Sequence, residues 1–248
     1  MSSDPSSPSS STGAKSATPE NPQRLYGRRK GPTMSQRQEQ LLETLLPKIR
    51  VPAAKEMDET INPADLFSKE ITDYWFEVGF GKGEHLYWQA EHFPTTGMIG
   101  CEFYLNGVAS LLGKIDENTR DNIRLYEGDA RHVMKALPEA SIGRAFLLHP
   151  DPWPKNRHAK RRFVSQENLD LFARLLKDNC ELRIGTDHPV YARWTMLQMS
   201  LRDDFVWMAE GPDDWRKSPA DWPETRYEQK AKDGIPVYLR FKRLARTK

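Results

Sequence analysis

Cysteine is nearly absent: the 248 residues hold two, Cys101 and Cys180. That excludes a disulfide scaffold and a Cys-rich zinc module. Long apolar runs are missing too. No window approaches the roughly 18 apolar residues of a membrane span, and the start of the chain lacks the apolar core of a signal peptide. A cytoplasmic location with no membrane partner is expected. Neither sign of charge is in excess, with 37 Lys+Arg against 35 Asp+Glu and a formal net charge of +2. The chain is no histone-like polycation, so any affinity for nucleic acid must come from local clustering. His85, His92, His132 and His188 show no metal-ligand spacing with cysteine or with each other, and no metal is expected.

The apolar fraction, 38%, is depressed partly by the first residues. Residues 1–20 carry eight Ser and three Pro, too little apolar surface to offset ordering entropy, so 1–22 are expected to be a disordered tail. Arg24, Arg28, Arg29 and Lys30 then surround Tyr26. Such a run is either a solvated tail or an arm that orders on a polyanion. Ser35 caps a first helix that Pro47 and Pro52 are expected to end. Residues 23–50 thus read as a basic arm with an N-terminal helix, and 51–248 as one domain.

Within 51–248 seven β-like runs recur, at 74–78, 98–104, 123–128, 144–149, 180–186, 205–210 and 237–243. Helical patterns fill 84–92, 105–117, 130–137, 165–177 and 189–201. The alternation predicts an α/β fold: a seven-stranded, mostly parallel sheet with helices on both faces. No helix is evident between the last two runs, which predicts an antiparallel last strand pair. Sheets of this kind bind ligands beyond the C-terminal strand ends.

The first strand runs into Glu77-Val78-Gly79-Phe80-Gly81-Lys82-Gly83. The glycines suit a tight turn with backbone N–H groups facing a ligand. The third comes one residue too early for a dinucleotide fingerprint, and Glu77 would repel a pyrophosphate but suit an ammonium. Glu102 ends the second strand, where an acid accepts from ribose hydroxyls. Asp129, followed by Ala130, ends the third and suits an exocyclic adenine amine. An ammonium, a ribose and an adenine without phosphate describe S-adenosylmethionine; ordinary turn and cap acids are the alternative reading.

After the fourth strand comes Pro150-Asp151-Pro152-Trp153-Pro154-Lys155. The prolines stiffen the loop, Asp151 is held where a reacting group would lie, and Trp153 offers a face for a base. Lys155, Arg157, Lys160, Arg161 and Arg162 place five positive charges within eight residues, around His158. Small-molecule chemistry has no need of such a run, whereas a phosphate backbone has. Trp194, Trp207, Trp215 and Trp222 read as packing residues, with Trp222 near a later motif.

Together EVGFGKG, GCEFY, EGDA, HPDPWPKNRHAKRR, GTDHPVYA and TRYE resemble the tRNA (guanine-N7)-methyltransferases over roughly residues 24–243. The resemblance implies a Rossmann-like class I fold, S-adenosylmethionine as cofactor, and methylation of guanine N7 at position 46 in the variable loop of tRNA. It implies Glu77, Gly79, Gly81, Gly83, Glu102, Asp129, Ala130 and Asp151 as cofactor-binding positions, with Asp151 also catalytic. Lys155, Asp187, Thr225, Arg226, Tyr227 and Glu228 match substrate-binding positions, and Arg157, His158, Lys160, Arg161 and Arg162 an RNA-contacting segment. tRNA is the expected partner, with no obligatory protein partner and a monomeric or homodimeric state. His188-Pro189 departs from the family pattern, where Trp-Glu is common. Two other readings stay open: a methyltransferase of another acceptor, although those favour Asp/Asn-Pro-Pro-aromatic after the fourth strand, and a non-catalytic RNA-binding subunit on the same fold.

Overall fold

Trp75 and Phe76 are neighbours in sequence that join different apolar clusters. That follows from the two-residue period of a strand buried on both faces. The computed structural model describes residues 26–52, 60–118, 120–223, 225–229 and 234–246. The tail 1–22 and Arg24 lie outside the described residues, as do the side chains of Arg226 and Tyr227. The strands are β1 (Asp73–Val78), β2 (Thr96–Cys101), β3 (Ile123–Tyr126), β4 (Ile142–Leu148), β5 (Leu176–Thr186), β6 (Phe205–Trp207) and β7 (Val237–Arg243). They form one seven-stranded sheet in the order β3-β2-β1-β4-β5-β7-β6. Neighbours from β3 to β5 are parallel, and β7 runs antiparallel to both β5 and β6.

The helices are α1 (Gln36–Thr44), α2 (Leu46–Ile49), α3 (Glu84–His92), α4 (Leu105–Glu117), α5 (Ala130–Ala136), α6 (Gln166–Leu175), α7 (Pro189–Met199), α8 (Asp213–Arg216) and α9 (Arg226–Gln229). Leu41, Leu46 and Ile49 of α1 and α2 share one cluster with Leu86 of α3, Leu111 of α4 and Trp75. Val133 of α5, Phe172 of α6 and Tyr191 of α7 share the other with Phe76. Ser35 begins α1 with a reciprocal capping box to Gln38. No helix among the described residues is long and apolar enough to cross a membrane.

Three expectations need correcting. Pro47 does not end the first helix: it lies in the first turn of α2, where its missing N–H has no bond to lose. The sixth helix stops at Leu175, because Leu176 turns directly into the sheet opposite Ile142. The connection from β6 to β7 holds two four-residue helices, α8 and α9, where none was evident.

That connection is pinned by charge. Arg183 of β5 is 2% exposed. Its Nε donates to Glu181 at 2.8 Å, and its two terminal nitrogens donate to the two carboxylate oxygens of Asp221 at 2.9 and 3.0 Å. Arg144 of β4 adds a bond to Asp221 at 2.8 Å and lies over the Trp75 ring, and Arg240 of β7 pairs with Glu181. These cations hold the Glu181 and Asp221 carboxyls below the usual value, against burial, which acts the other way. Removing one partner of such a buried group costs about 3–5 kcal/mol. Solvent reaches part of Asp221, so Asp221→Ala is expected to lower the unfolding free energy by about 2–3 kcal/mol in a urea titration.

Candidate active site

The ends of β1, β2, β4 and β5 open onto a cavity of about 1550 Å³ lined by Glu77, Gly79, Glu102, His149, Asp151 and Asp187 among others. β1 lies between β2 and β4, so the crevice falls at the switch point of the sheet.

On the β1 side the chain leaves Glu77 through Gly79, Gly81 and Gly83, with φ of +71°, +57° and +73°. These left-handed values suit glycine. A Cβ on Gly79 would meet nothing within 4 Å, whereas one on Gly83 would strike Leu111 of α4 at 2.7 Å. Gly79 therefore leaves open space along the cavity, and Gly83 lets α3 and α4 approach. Glu102 ties the two loops together: one oxygen accepts from Gly81 N–H and the other from Tyr104 N–H, each at 2.7 Å. Burial raises the Glu102 carboxyl above its ordinary value, although these backbone donors pull it down.

Glu77 is 2% exposed and accepts from His85 Nδ1 at 2.7 Å. Asp129 differs from the other two acids. It caps α5 from the Arg131 N–H at 3.0 Å and is also paired with the Arg131 guanidinium. Arg131, rather than Asp129, lines the cavity. Ala130, beside it, is buried in the core.

On the β4 side His149 and Trp153 carry φ of +47° and +41°. Non-glycine residues adopt such values at a cost, and here two of them bracket Asp151. The loop is braced from within. His149 N–H bonds to Gly185 O at 2.8 Å. Arg162 donates to the carbonyls of Pro152 and Trp153 at 3.2 and 3.0 Å, and its guanidinium lies 4.7 Å from the Trp194 ring centroid. Arg162 is 5% exposed. Expected among the RNA-contacting side chains, it is instead turned inward, spent on loop carbonyls. Solvent reaches Asp151, yet the surrounding loop desolvates its carboxyl enough to raise its pKa.

The remaining basic residues face outward. Lys155, Arg157 and Lys160 are exposed. Arg161 is held between two rings, 4.6 Å from the Tyr26 centroid and 4.8 Å from that of Trp153. One face of Trp153 is therefore covered by a guanidinium. Burial, then the charges of Arg161, Arg157 and Lys155, lower the His158 pKa. The described part of the basic arm keeps Arg28, Arg29 and Lys30 exposed, while its backbone is docked on the fold. It lies along the first turn of α4, with Leu105 N–H bonded to Arg29 O at 2.9 Å and Gly31 N–H to Asn106 at 2.8 Å.

The fifth strand brings Asp187 to the cavity, 3.7 Å from His149 Nδ1. His188 is the N-cap of α7, accepting from Val190 N–H at 3.2 Å ahead of Pro189. Thr225 and Glu228 form a capping box around α9. Thr225 N–H donates to Glu228 at 2.9 Å and Glu228 N–H to Thr225 Oγ1 at 3.4 Å. Glu228 also accepts from Trp222 Nε1 at 3.1 Å and lies 3.4 Å from His149 Nε2. Thr225 lines the cavity, while Glu228 is buried behind it. Trp222 is buried as expected, but Trp207 is 39% exposed on the edge strand. His149, His85 and Arg131 are among the lining side chains that spacing did not single out; only their places just after or just before a loop motif signalled them.

The profile of the family described as "Putative methyltransferase" matches residues 72–237. The solved structure of the antibiotic-resistance methyltransferase Kmr superposes with a TM-score of 0.50 at 16% identity, covering 76% of this chain and 95% of that one. TrmN from Thermus thermophilus gives 0.50 at 14% identity, covering 73% of this chain and 47% of that one. Those likenesses concern the fold. With acids at the ends of β1 and β2 beside a glycine turn, the fold defines a class I methyltransferase, a class whose methyl donor is S-adenosylmethionine. The tRNA (guanine-N(7)-)-methyltransferase of Zymomonas mobilis is 48% identical over 223 residues, covering 89% of this chain and 94% of the relative. That of Ruegeria sp. is 50% identical over 224 residues, covering 88% and 87%. The chain belongs to the tRNA (guanine-N7)-methyltransferase family.

The residues present fit the donor: an open glycine turn at Gly79 with the carboxylates of Glu77 and Glu102 beside it in the cavity lining. Gly79→Ala is expected to cost about 1–2 kcal/mol of stability through its φ alone. Gly83→Ala is expected to cost about 1–3 kcal/mol more, because its Cβ also overpacks Leu111. Urea midpoints of the two variants check the order.

Proposed function

We propose that this chain transfers a methyl group from S-adenosylmethionine to N7 of guanine 46 in the variable loop of tRNA. The observation that carries the reading is a single cavity whose one wall holds Glu77, Gly79 and Glu102 and whose other wall holds Asp151 and Asp187, with Lys160 and Arg161 in the lining. The activity of the family's members supplies the acceptor class.

Glu77 receives the donor's ammonium group, Glu102 its ribose, and the Gly79–Gly81 turn its backbone contacts, with Asp129 and Ala130 completing the adenine side behind Arg131. When bound, S-adenosylmethionine supplies an electrophilic sulfonium methyl. Guanine N7 has an in-plane lone pair and no proton to lose, so no general base is required, and alignment is the main demand. The methylated base is positive. Asp151 and Asp187 stabilise that developing charge and accept from the N1–H and the 2-amino group of guanine, neither of which adenine has. Asp151 is the catalytic residue. Thr225 holds the base edge; Glu228, whose carboxylate is taken by Thr225, Trp222 and His149, holds Thr225. Arg226 and Tyr227 extend the same substrate segment. Lys155, Arg157, Lys160 and Arg161 neutralise backbone phosphates, and His158 adds an uncharged contact.

Labelled S-adenosylmethionine and an unmodified tRNA transcript test the reading. Label in the transcript with guanine at position 46, none when adenine replaces it, and strand cleavage specific for N7-methylguanine are expected. Equal label in both transcripts would refute the position.

Asp151→Asn is expected to lower turnover at least about 100-fold, the scale of losing one preorganised electrostatic contact. The effect on stability has the opposite sign. A carboxyl raised in the fold holds its proton more tightly in the native state than in the unfolded chain. Its contribution is therefore most favourable at acid pH and falls as pH rises from the ordinary carboxylate value through the raised one. At neutral pH Asp151→Asn is expected to leave Tm unchanged or raised; a drop of several degrees would assign Asp151 a structural role.

Salt dependence separates the two kinds of arginine and lysine. Lys160→Ala is expected to reduce the slope of log affinity for tRNA against log salt by about 1. Arg162→Ala is expected to leave that slope unchanged and to lower stability by about 1–3 kcal/mol, through the two loop carbonyls it abandons. Titrations between low and moderate salt, paired with thermal melts, read both quantities.

A further inference from the structure

His85 lies in the first turn of α3, next to Glu84, in a position that carries no assigned role. It is 2% exposed. Its Nδ1 meets Glu77 Oε2 at 2.7 Å, and its Nε2 meets Gln89 Nε2 at 3.1 Å. The same Gln89 nitrogen meets the Asp221 carbonyl oxygen at 2.7 Å. The ring of His85 packs edge-on to Phe146, centroids 4.6 Å apart, and to Trp222, 6.0 Å apart.

The direction of every bond in this string follows from its far end. A backbone carbonyl only accepts, so Gln89 must present its NH2 group to Asp221. The second hydrogen of that NH2 points at His85 Nε2, which must then be an acceptor. The ring proton is on Nδ1, and it is donated to Glu77. Asp221, in turn, is fixed by Arg183 and Arg144. The string therefore sets both the tautomer of His85 and the carboxylate oxygen of Glu77 that is used up.

We propose that His85 is a positioning residue for the donor site: by donating from Nδ1 to Oε2 of Glu77 it fixes that carboxylate so that its other oxygen meets the donor's ammonium group. The inference rests on the reading of Glu77 as the ammonium-binding acid. The imidazole touches neither donor nor acceptor. It acts through Glu77, as the outer hydrogen bonds of a metal site act through its ligands.

Two ligands isolate the effect. S-adenosylhomocysteine carries the amino-acid group, and 5′-methylthioadenosine carries the same nucleoside without it. Calorimetry on the full chain compares wild type, His85→Leu and His85→Asn, the last keeping an N–H donor near the position of Nδ1. His85→Leu is expected to weaken S-adenosylhomocysteine about tenfold or more, the scale of a hydrogen bond to a charged group. It is expected to leave 5′-methylthioadenosine within about twofold, and His85→Asn to recover most of the loss. Nitrogen-15 NMR of the wild-type imidazole needs no variant, and a protonated Nδ1 with an unprotonated Nε2 is expected. Equal weakening of both ligands, no recovery in His85→Asn, or a proton on Nε2 would overturn the proposal. Glu77→Gln separates the two levels. If it weakens S-adenosylhomocysteine selectively while His85→Leu does not, only the role of His85 falls. If Glu77→Gln shows no selectivity, the reading of Glu77 falls and takes the proposal with it.

Discussion

A guanidinium in the middle of a sheet must be compensated, and Arg183 imposes that condition on everything around it. Glu181 lies two residues away on the same face of β5 and satisfies one edge. The fork has to be filled from outside the sheet, and Asp221 fills it with both oxygens. This pairing anchors the connection between β6 and β7 at Asp221. Trp222 follows Asp221 and packs so close to Gly185 that a Cβ there would meet its ring at 2.8 Å. Its indole N–H reaches Glu228, which caps α9 and brings Thr225 to the cavity. A buried charge that does not itself line the crevice thereby supports one of its walls, a use of buried ion pairs that concerns specificity of structure more than net stability.

The strands and the long helices were legible in the sequence because each carries its own period and its own punctuation. The run Tyr74–Val78 is apolar on both faces, as a central parallel strand must be. The glycines after it end the strand and cannot be read as helix. The order of strands was legible only as a class, since nothing local says that β1 lies between β2 and β4; that comes from the handedness of successive crossovers. The acids Glu77 and Glu102 were legible because they stand at strand ends, where side chains point into the crevice.

Other features were hidden because neighbours in sequence diverge in space. Arg161 and Arg162 are identical residues side by side in one basic run. Both line the cavity, but Arg161 is sandwiched between Tyr26 and Trp153 while Arg162 donates to carbonyls of the preceding loop. No spacing rule separates them, because the difference lies in where two loop carbonyls lack donors. Thr225 and Glu228 illustrate the reverse. Read as a substrate motif, Thr-Arg-Tyr-Glu is also the pattern of a capping box, and the structure uses it as one. The two descriptions are compatible: capping fixes a four-residue helix that is too short to persist alone, and a fixed helix is what presents Thr225.

The loop after β4 joins these strands of argument. His149 and Trp153 each precede a proline, which disfavours the ordinary helical region and favours extended backbone, yet both adopt positive φ. Such strain relaxes unless the surroundings hold it. Here Arg162 holds the carbonyl side, Gly185 O holds His149 N–H, and the imidazole of His149 lies between Asp187 and Glu228. Asp151 sits between the two strained residues, so its backbone position is set by theirs. In the proposed reaction, a carboxylate whose surroundings disfavour its charge is costly at rest and most useful beside a base that turns positive. The cost is met before the reaction begins, so none of it is charged to the step in which the charge appears.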